Sequence, residues 1–207
     1  MGSTPRSELE VFLVYPTPPT RAKVMRAVRS TLVSSGLAIL RERGLYDRYA
    51  SSLPAKHLET VRGIVAGTWM PTDFMIAHYA AWDALGLSQD DIRAIGLNVA
   101  AAVGENMLLA IKNLTTGVGV TPWAVLAQYG RLWTRAFDGG GIRIEKAGPK
   151  DALLHFTEVP FARSSYFQGS IVAIHEQALG MFATKLYARV VPGSTRETSF
   201  SMRLAWV

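Results

Sequence analysis

The sequence predicts an α+β fold: a helical N-terminal half packed on a C-terminal ββαββ unit, a four-stranded antiparallel sheet with one crossing helix. Three observations predict it. Segments 141–147, 152–159, 186–191 and 198–207 alternate apolar and polar residues, the period of a half-buried strand. Between the second and third of them, Phe167, Ile171, Ile174, Ala178 and Met181 recur at three- and four-residue steps, the spacing of an amphipathic helix over about 164–185. Upstream, helical spacing dominates from residue 21 to about 137.

Taken in order, residues 1–20 read as a loosely attached arm before a single domain over 21–207, helical in 21–138 and ββαββ in 139–207. Val11–Val14 has the composition of a short strand, and Pro16, Pro18 and Pro19 then impose an extended linker. Val24, Val28, Leu32, Leu37 and Leu40 predict a helix over 21–43, with a break at Ser34-Ser35-Gly36. Short helices follow over 45–53, closed by Pro54, and over 56–66, leaving His57 exposed. Gly67 to Pro71 is a break, and Thr72 is a candidate N-cap for a helix that carries Phe74, His78, Trp82 and Leu85 on one face. Ser88 with Asp91 three residues on has the form of a capping box for a helix over 89–113. That helix is uncharged from Ile95 to Gly104, so more than one of its faces is expected to be buried. Thr121 as N-cap and Pro122 in the first turn start a helix running to about Phe137. Asp138 and three glycines hinge into the sheet, Gly148 to Asp151 turns the first hairpin, and Pro192-Gly193-Ser194 turns the second.

Composition narrows the chemistry. The 207 residues are 49% hydrophobic and 18% charged, enough apolar material for a sizeable core. With no cysteine there are no disulfides, thiolate nucleophiles, Cys-ligated zinc or iron–sulfur clusters. The net charge of +6 is dispersed among acidic residues, so nucleic acid is not an expected partner. No run reaches the roughly 18 apolar residues of a spanning helix, and Arg6, Glu8 and Glu10 interrupt any secretory apolar stretch. A cytoplasmic protein is the expectation. Neither HxxxH nor HExxH occurs, nor does a Gly-x-Ser-x-Gly elbow, so a dedicated metal site and serine catalysis are not expected.

The joint from Trp133 through Ala136 and Asp138 to Ile142, the turn Gly148-Pro149-Lys150, the run from Pro160 through Arg163 and Tyr166 to Gly169, and the closing Phe200, Met202, Leu204 and Trp206 together carry a resemblance. The order of elements over about 90–207 resembles that of 4-vinyl-reductase-type ligand domains and of haem-nitric-oxide/oxygen-binding domains. More closely, the chain resembles a myxobacterial paralogous family of that general type. The resemblance implies a ligand-binding or interaction module rather than an enzyme. Its haem-binding branch carries a Tyr-x-Ser-x-Arg clamp for the porphyrin propionates, and no such spacing occurs here.

The candidate ligand-binding residues are His78, Trp82, Met107, Trp133, Arg163, Ser165, Tyr166 and His175. The histidines lie on or beside apolar helical stripes, and an interior rich in aromatic and methionine side chains suits an adaptable apolar pocket. Arg163, Ser165 and Tyr166 sit at a helix N-terminus, where free amide protons favour an anion or a carbonyl. The expectation is a non-catalytic sensor or binding domain for a small apolar ligand. The alternatives are a haem-type gas sensor using His78 or His175, an enzyme acting on a lipid-like or aromatic substrate, and a structural interaction module. The sequence itself names no cofactor. An open edge at the final strand predicts self-association as a homodimer, with the alternative that the Val11–Val14 segment folds back to cover that edge.

Overall fold

Helices and antiparallel strands alternate as an α+β fold in the computed structural model, which describes residues 9–16, 22–114 and 121–207, with side chains of the long central helix described as far as Ala101. The described helices are α1 (Ser30–Glu42), α2 (Tyr46–Ser51), α3 (Leu58–Arg62), α4 (Thr72–Asp83), α5 (Gln89–Leu114), α6 (Pro122–Leu126), α7 (Tyr129–Ala136) and α8 (Ser165–Gly180). The strands are β1 (Glu10–Tyr15), β2 (Ala27–Arg29), β3 (Trp69–Pro71), β4 (Phe137–Asp138), β5 (Gly141–Gly148), β6 (Asp151–Thr157), β7 (Leu186–Val190) and β8 (Phe200–Trp206).

The main sheet has five antiparallel strands in the order β1-β5-β6-β8-β7, not the expected four. The added strand comes from the segment expected to be a loose arm. Val11 pairs with Glu145 and Tyr15 with Ile142, Glu10 and Lys146 form an ion pair at 2.8 Å, and Phe12 packs on Trp123. The expectation of an open edge at the final strand is also corrected. β8 lies inside the sheet between β6 and β7, so the ground for pairing two copies through it falls away. The arm covers the edge of β5 instead, and the described edge on the other side is β7.

A second, three-stranded sheet, β3-β2-β4, was not expected. Residues 27–29 leave the predicted helix to pair with 69–71 on one side and 137–138 on the other. Gly139 makes this crossing possible. It sits at φ +87°, and a Cβ there would stand 2.6 Å from the Val24 carbonyl oxygen. Helix α1 is continuous through Gly36, because a bare backbone there lets the Trp82 ring pack against it. Thr72 is the first residue of α4 rather than its cap, and its hydroxyl donates to the Met25 carbonyl at 2.6 Å. The caps at Ser88 and Thr121 form as expected, with amides donating to their hydroxyl oxygens at 3.1 and 3.3 Å. The helix after Thr121 breaks into α6 and α7.

Alternation along β5, β6 and β8 puts Ile142, Ile144, Leu154, Phe156, Phe200, Met202, Leu204 and Trp206 on one buried face. Helix α8 lies across it, with Phe167 edge-on to Phe200 and His175 edge-on to Phe156. Above α8 runs α5, and the two meet through glycines. A Cβ at Gly96 would stand 2.7 Å from the Ala173 Cβ, and one at Gly169 would stand 2.4 Å from an Ile92 methyl. The backbones therefore approach more closely than side chains would permit. Replacing Gly96 by Ala is expected to destabilise the protein by about 1–2 kcal/mol, overpacking outweighing the roughly 1 kcal/mol that alanine gains in helix propensity. Gly180→Ala, where nothing lies within 4 Å, is expected to be neutral or stabilising. Urea midpoints of the two variants check the contrast.

Candidate functional site

Helix α7 packs beside α8 without filling the space between them. A cavity of about 110 Å³ remains, walled by Leu132, Trp133 and Ala136 of α7, Ile171, Ile174, Ala178 and Leu179 of α8, and Leu32, Val125 and Phe137 around them. Two of its lining side chains, Tyr129 and His175, carry hydrogen-bonded polar groups that face one another. The third polar atom, Trp133 Nε1, is turned away to the Gly139 carbonyl at 2.9 Å, so its ring presents only carbon.

The protonation of His175 follows from its partners. Nδ1 lies 2.7 Å from the Ile171 carbonyl oxygen one helical turn back, and a carbonyl can only accept. Nδ1 therefore carries the proton, and Nε2 accepts from the Tyr129 hydroxyl at 2.5 Å. The two rings are stacked, with centroids 5.5 Å apart. Burial pushes His175 down to about 4, with the Ile171 bond pulling the other way, and burial pushes the Tyr129 hydroxyl up. At neutral pH the pair is uncharged. It can orient a polar atom by hydrogen bonding, and it supplies no charge.

A second polar group lies deeper. His78 and Tyr49, both fully enclosed, share a hydrogen bond of 2.6 Å between Nδ1 and the hydroxyl. Burial lowers His78 to about 3 and raises the Tyr49 hydroxyl. His78 is stacked with Phe74 and edge-on to Tyr79 and Trp82. Trp82 in turn stacks flat on Tyr166 with centroids 3.9 Å apart.

Of the residues singled out from sequence, Trp133 and His175 share the main cavity, while His78, Trp82 and Tyr166 form the adjacent aromatic cluster. The side chain of Met107 lies outside the described residues. Arg163 and Ser165 are exposed at the start of α8. Two amides of the helix N-terminus have side-chain acceptors: Phe167 N–H donates to the Ser164 hydroxyl, and Tyr166 N–H to the Asp83 carboxylate at 2.8 Å. That carboxylate takes the place an anionic ligand would need. His57, expected to be exposed, is 6% exposed and edge-on to Phe74. Tyr129 is the site residue that sequence reasoning missed. Its spacing four residues before Trp133, on the same helical face, was the available signal. Among the described residues no group of three or more histidine or acidic side chains could hold a metal ion, and no helix is long and apolar enough to cross a membrane.

No family model and no curated protein matches the chain. Solved structures do. An Fe(II) unliganded H-NOX protein from K. algicida superposes with a TM-score of 0.60 at 10% identity, over 86% of this chain and 96% of that one. A structure from work on haem distortion in the H-NOX family gives 0.57 at 12% identity, over 86% and 94%. At this identity the likeness is one of fold, and it supports the haem-nitric-oxide/oxygen-binding part of the resemblance read from the sequence.

His78 and His175 make the protein acid-sensitive. Their folded-state values, about 3 and about 4, lie below the ordinary 6.5, so the unfolded chain binds more protons as pH falls through 6.5. Stability is then expected to drop from about pH 6.5 downward, by about 2 kcal/mol per histidine at pH 5. Urea titrations at pH 7.5 and 5 check this, and replacing both histidines by glutamine is expected to flatten the dependence.

Proposed function

We propose that this chain is a non-catalytic ligand-binding domain of the sensor kind, whose small apolar ligand sits between α7 and α8 against the His175–Tyr129 pair. The supporting observation is the cavity itself. Apolar walls with a few placed polar groups are the usual make-up of small-molecule sites. His78 and His175 are uncharged at neutral pH, and the polar groups at the main cavity are the Tyr129 hydroxyl and the His175 imidazole it donates to.

Haem is the second reading, and the fold speaks for it more than for any other ligand class, since the H-NOX neighbours include Fe(II) and haem-distortion structures. One feature of this chain also favours it. With the proton on Nδ1, His175 carries its lone pair on Nε2, as an iron ligand must. The residues nevertheless fit a porphyrin poorly. That lone pair is taken by the Tyr129 hydroxyl. The cavity, at about 110 Å³, is smaller than the roughly 300–1,000 Å³ of ordinary small-molecule pockets. Its described lining contains no Arg or Lys to meet the propionates. A ligand smaller than porphyrin suits the site better.

Filling the cavity tests the reading. Ala178→Phe, on the cavity wall, is expected to weaken binding of n-hexane about tenfold or more while leaving the circular dichroism spectrum unchanged. The same purified protein mixed with hemin is expected to show no Soret band beyond that of free hemin. A Soret band that Tyr129→Phe strengthens and His175→Ala abolishes would replace the apolar ligand with haem.

A further inference from the structure

One turn along α8 from the main cavity lies a second, smaller chamber of about 20 Å³, lined by His78, Tyr79, Tyr166 and Ser170. Leu32, Ile171 and Ile174 line both chambers, so they are neighbours across one thin apolar partition. The small chamber differs from the large one in a specific way. Ser170 is 8% exposed, and its hydroxyl makes no well-formed hydrogen bond to a described residue, although it lies near enough to the Tyr166 hydroxyl to pull against the upward push of burial there. His78 uses Nδ1 for Tyr49, and its Nε2 makes no hydrogen bond to a described residue. The Tyr79 and Tyr166 hydroxyls are held protonated by burial.

An orphaned buried hydroxyl costs about 1–3 kcal/mol, and native proteins leave few of them without an occupant to bond. A chamber of about 20 Å³ exceeds the roughly 10–15 Å³ that one water-sized group requires. It is therefore large enough for one oxygen atom and too small for a charged headgroup. Its described lining also has no charged side chain, and bringing an unpaired carboxylate or ammonium there would be strongly unfavourable.

We propose that the small chamber is the polar end of the ligand site, and that the ligand is a slender aliphatic or aromatic molecule tipped by one uncharged oxygen, an alcohol or a carbonyl. Its apolar body occupies the large cavity, and its oxygen bonds the Ser170 hydroxyl once rotation of the shared Leu32, Ile171 and Ile174 side chains joins the two spaces. This rests on the apolar-ligand reading of the main cavity and names the class of ligand within it.

Calorimetric titration with 1-hexanol, n-hexane and hexanoate, on the full chain and on Ser170→Ala, separates the two claims. The expected result is that hexanol binds, that Ser170→Ala weakens it about three- to tenfold, the equivalent of one hydrogen bond, and that the variant leaves hexane affinity unchanged. Hexanoate is expected to bind at least tenfold more weakly than hexanol. Ser170→Ala removes an unbonded hydroxyl, so the ligand-free variant is expected to be no less stable than the parent, and a urea midpoint confirms that it folds. Equal affinities of hexanol for parent and variant, with hexane still bound, would overturn the oxygen site while leaving the main cavity's reading standing. Failure of both hexane and hexanol to bind would overturn both. An ordered water retained on Ser170 in a crystal structure with hexanol bound would assign the chamber to water and reject the proposal.

Discussion

The close contact of α5 with α8 is the constraint from which the site geometry follows. Gly96 and Gly169 let the two backbones approach until a single methyl group would collide. The approach holds α8 between α5 and the sheet, so its successive faces meet three surroundings at once. Phe167 and His175 meet the rings of Phe200 and Phe156, Ile171 and Ala178 face the cavity beside α7, and Ser170 faces the aromatic cluster of α4. Interiors close-packed in this way transmit a displacement rather than absorb it. A shift of α8 would therefore alter the hydrogen bond from Tyr129 to His175 and the stack of Trp82 on Tyr166 together.

Burial, rather than charge pairing, decides the chemistry of the interior. His78 and His175 are kept neutral by desolvation, and each is bonded to a tyrosine hydroxyl that burial keeps protonated. Both pairs can exchange hydrogen bonds with a neutral ligand at no cost in charge. Charged groups collect on the opposite face of the sheet. There Arg143, Glu145, His155 and Ser201 form a ladder across β5, β6 and β8, and Arg203 binds Asp151. The segregation leaves an apolar interior with few polar positions, in which an unpaired charge would be strongly unfavourable.

Much of this was legible in the sequence because periodicity reports burial. The alternation of Phe200, Met202, Leu204 and Trp206 survives as the buried face of β8, and of the stripe expected on α8, Phe167, Ile171 and Ala178 are buried, Ile174 is half-buried, and Met181 lies past the helix end and is exposed. What was not legible depended on contacts distant in sequence. The small sheet joins residues 27–29 to 69–71 and 137–138, and three-residue strands are too short to show a period. The fifth strand of the main sheet comes from a six-residue segment whose pairing partners lie 127 positions away or more, as Glu10 with Lys146 and Tyr15 with Ile142. Among candidate site residues, the burial of His78, Trp133 and His175 was legible because a histidine or tryptophan on an apolar stripe is conspicuous. Tyr129 was passed over because its partner lies on another helix, and sequence could not show that Asp83, remote in the chain, accepts from the Tyr166 amide at the helix start where Arg163 and Ser165 lie.

The central claim is that the space between α7 and α8 holds a small apolar ligand. Isotope-filtered nuclear Overhauser spectra of the labelled protein with unlabelled n-hexane test it most directly, because they report which protons surround the bound molecule. The account predicts cross-peaks from hexane to the methyl groups of Leu132, Ile171 and Ala178 and to the Trp133 ring. Cross-peaks confined to the outer sheet residues Leu153 and Ala205, or none at hexane saturation, would contradict it.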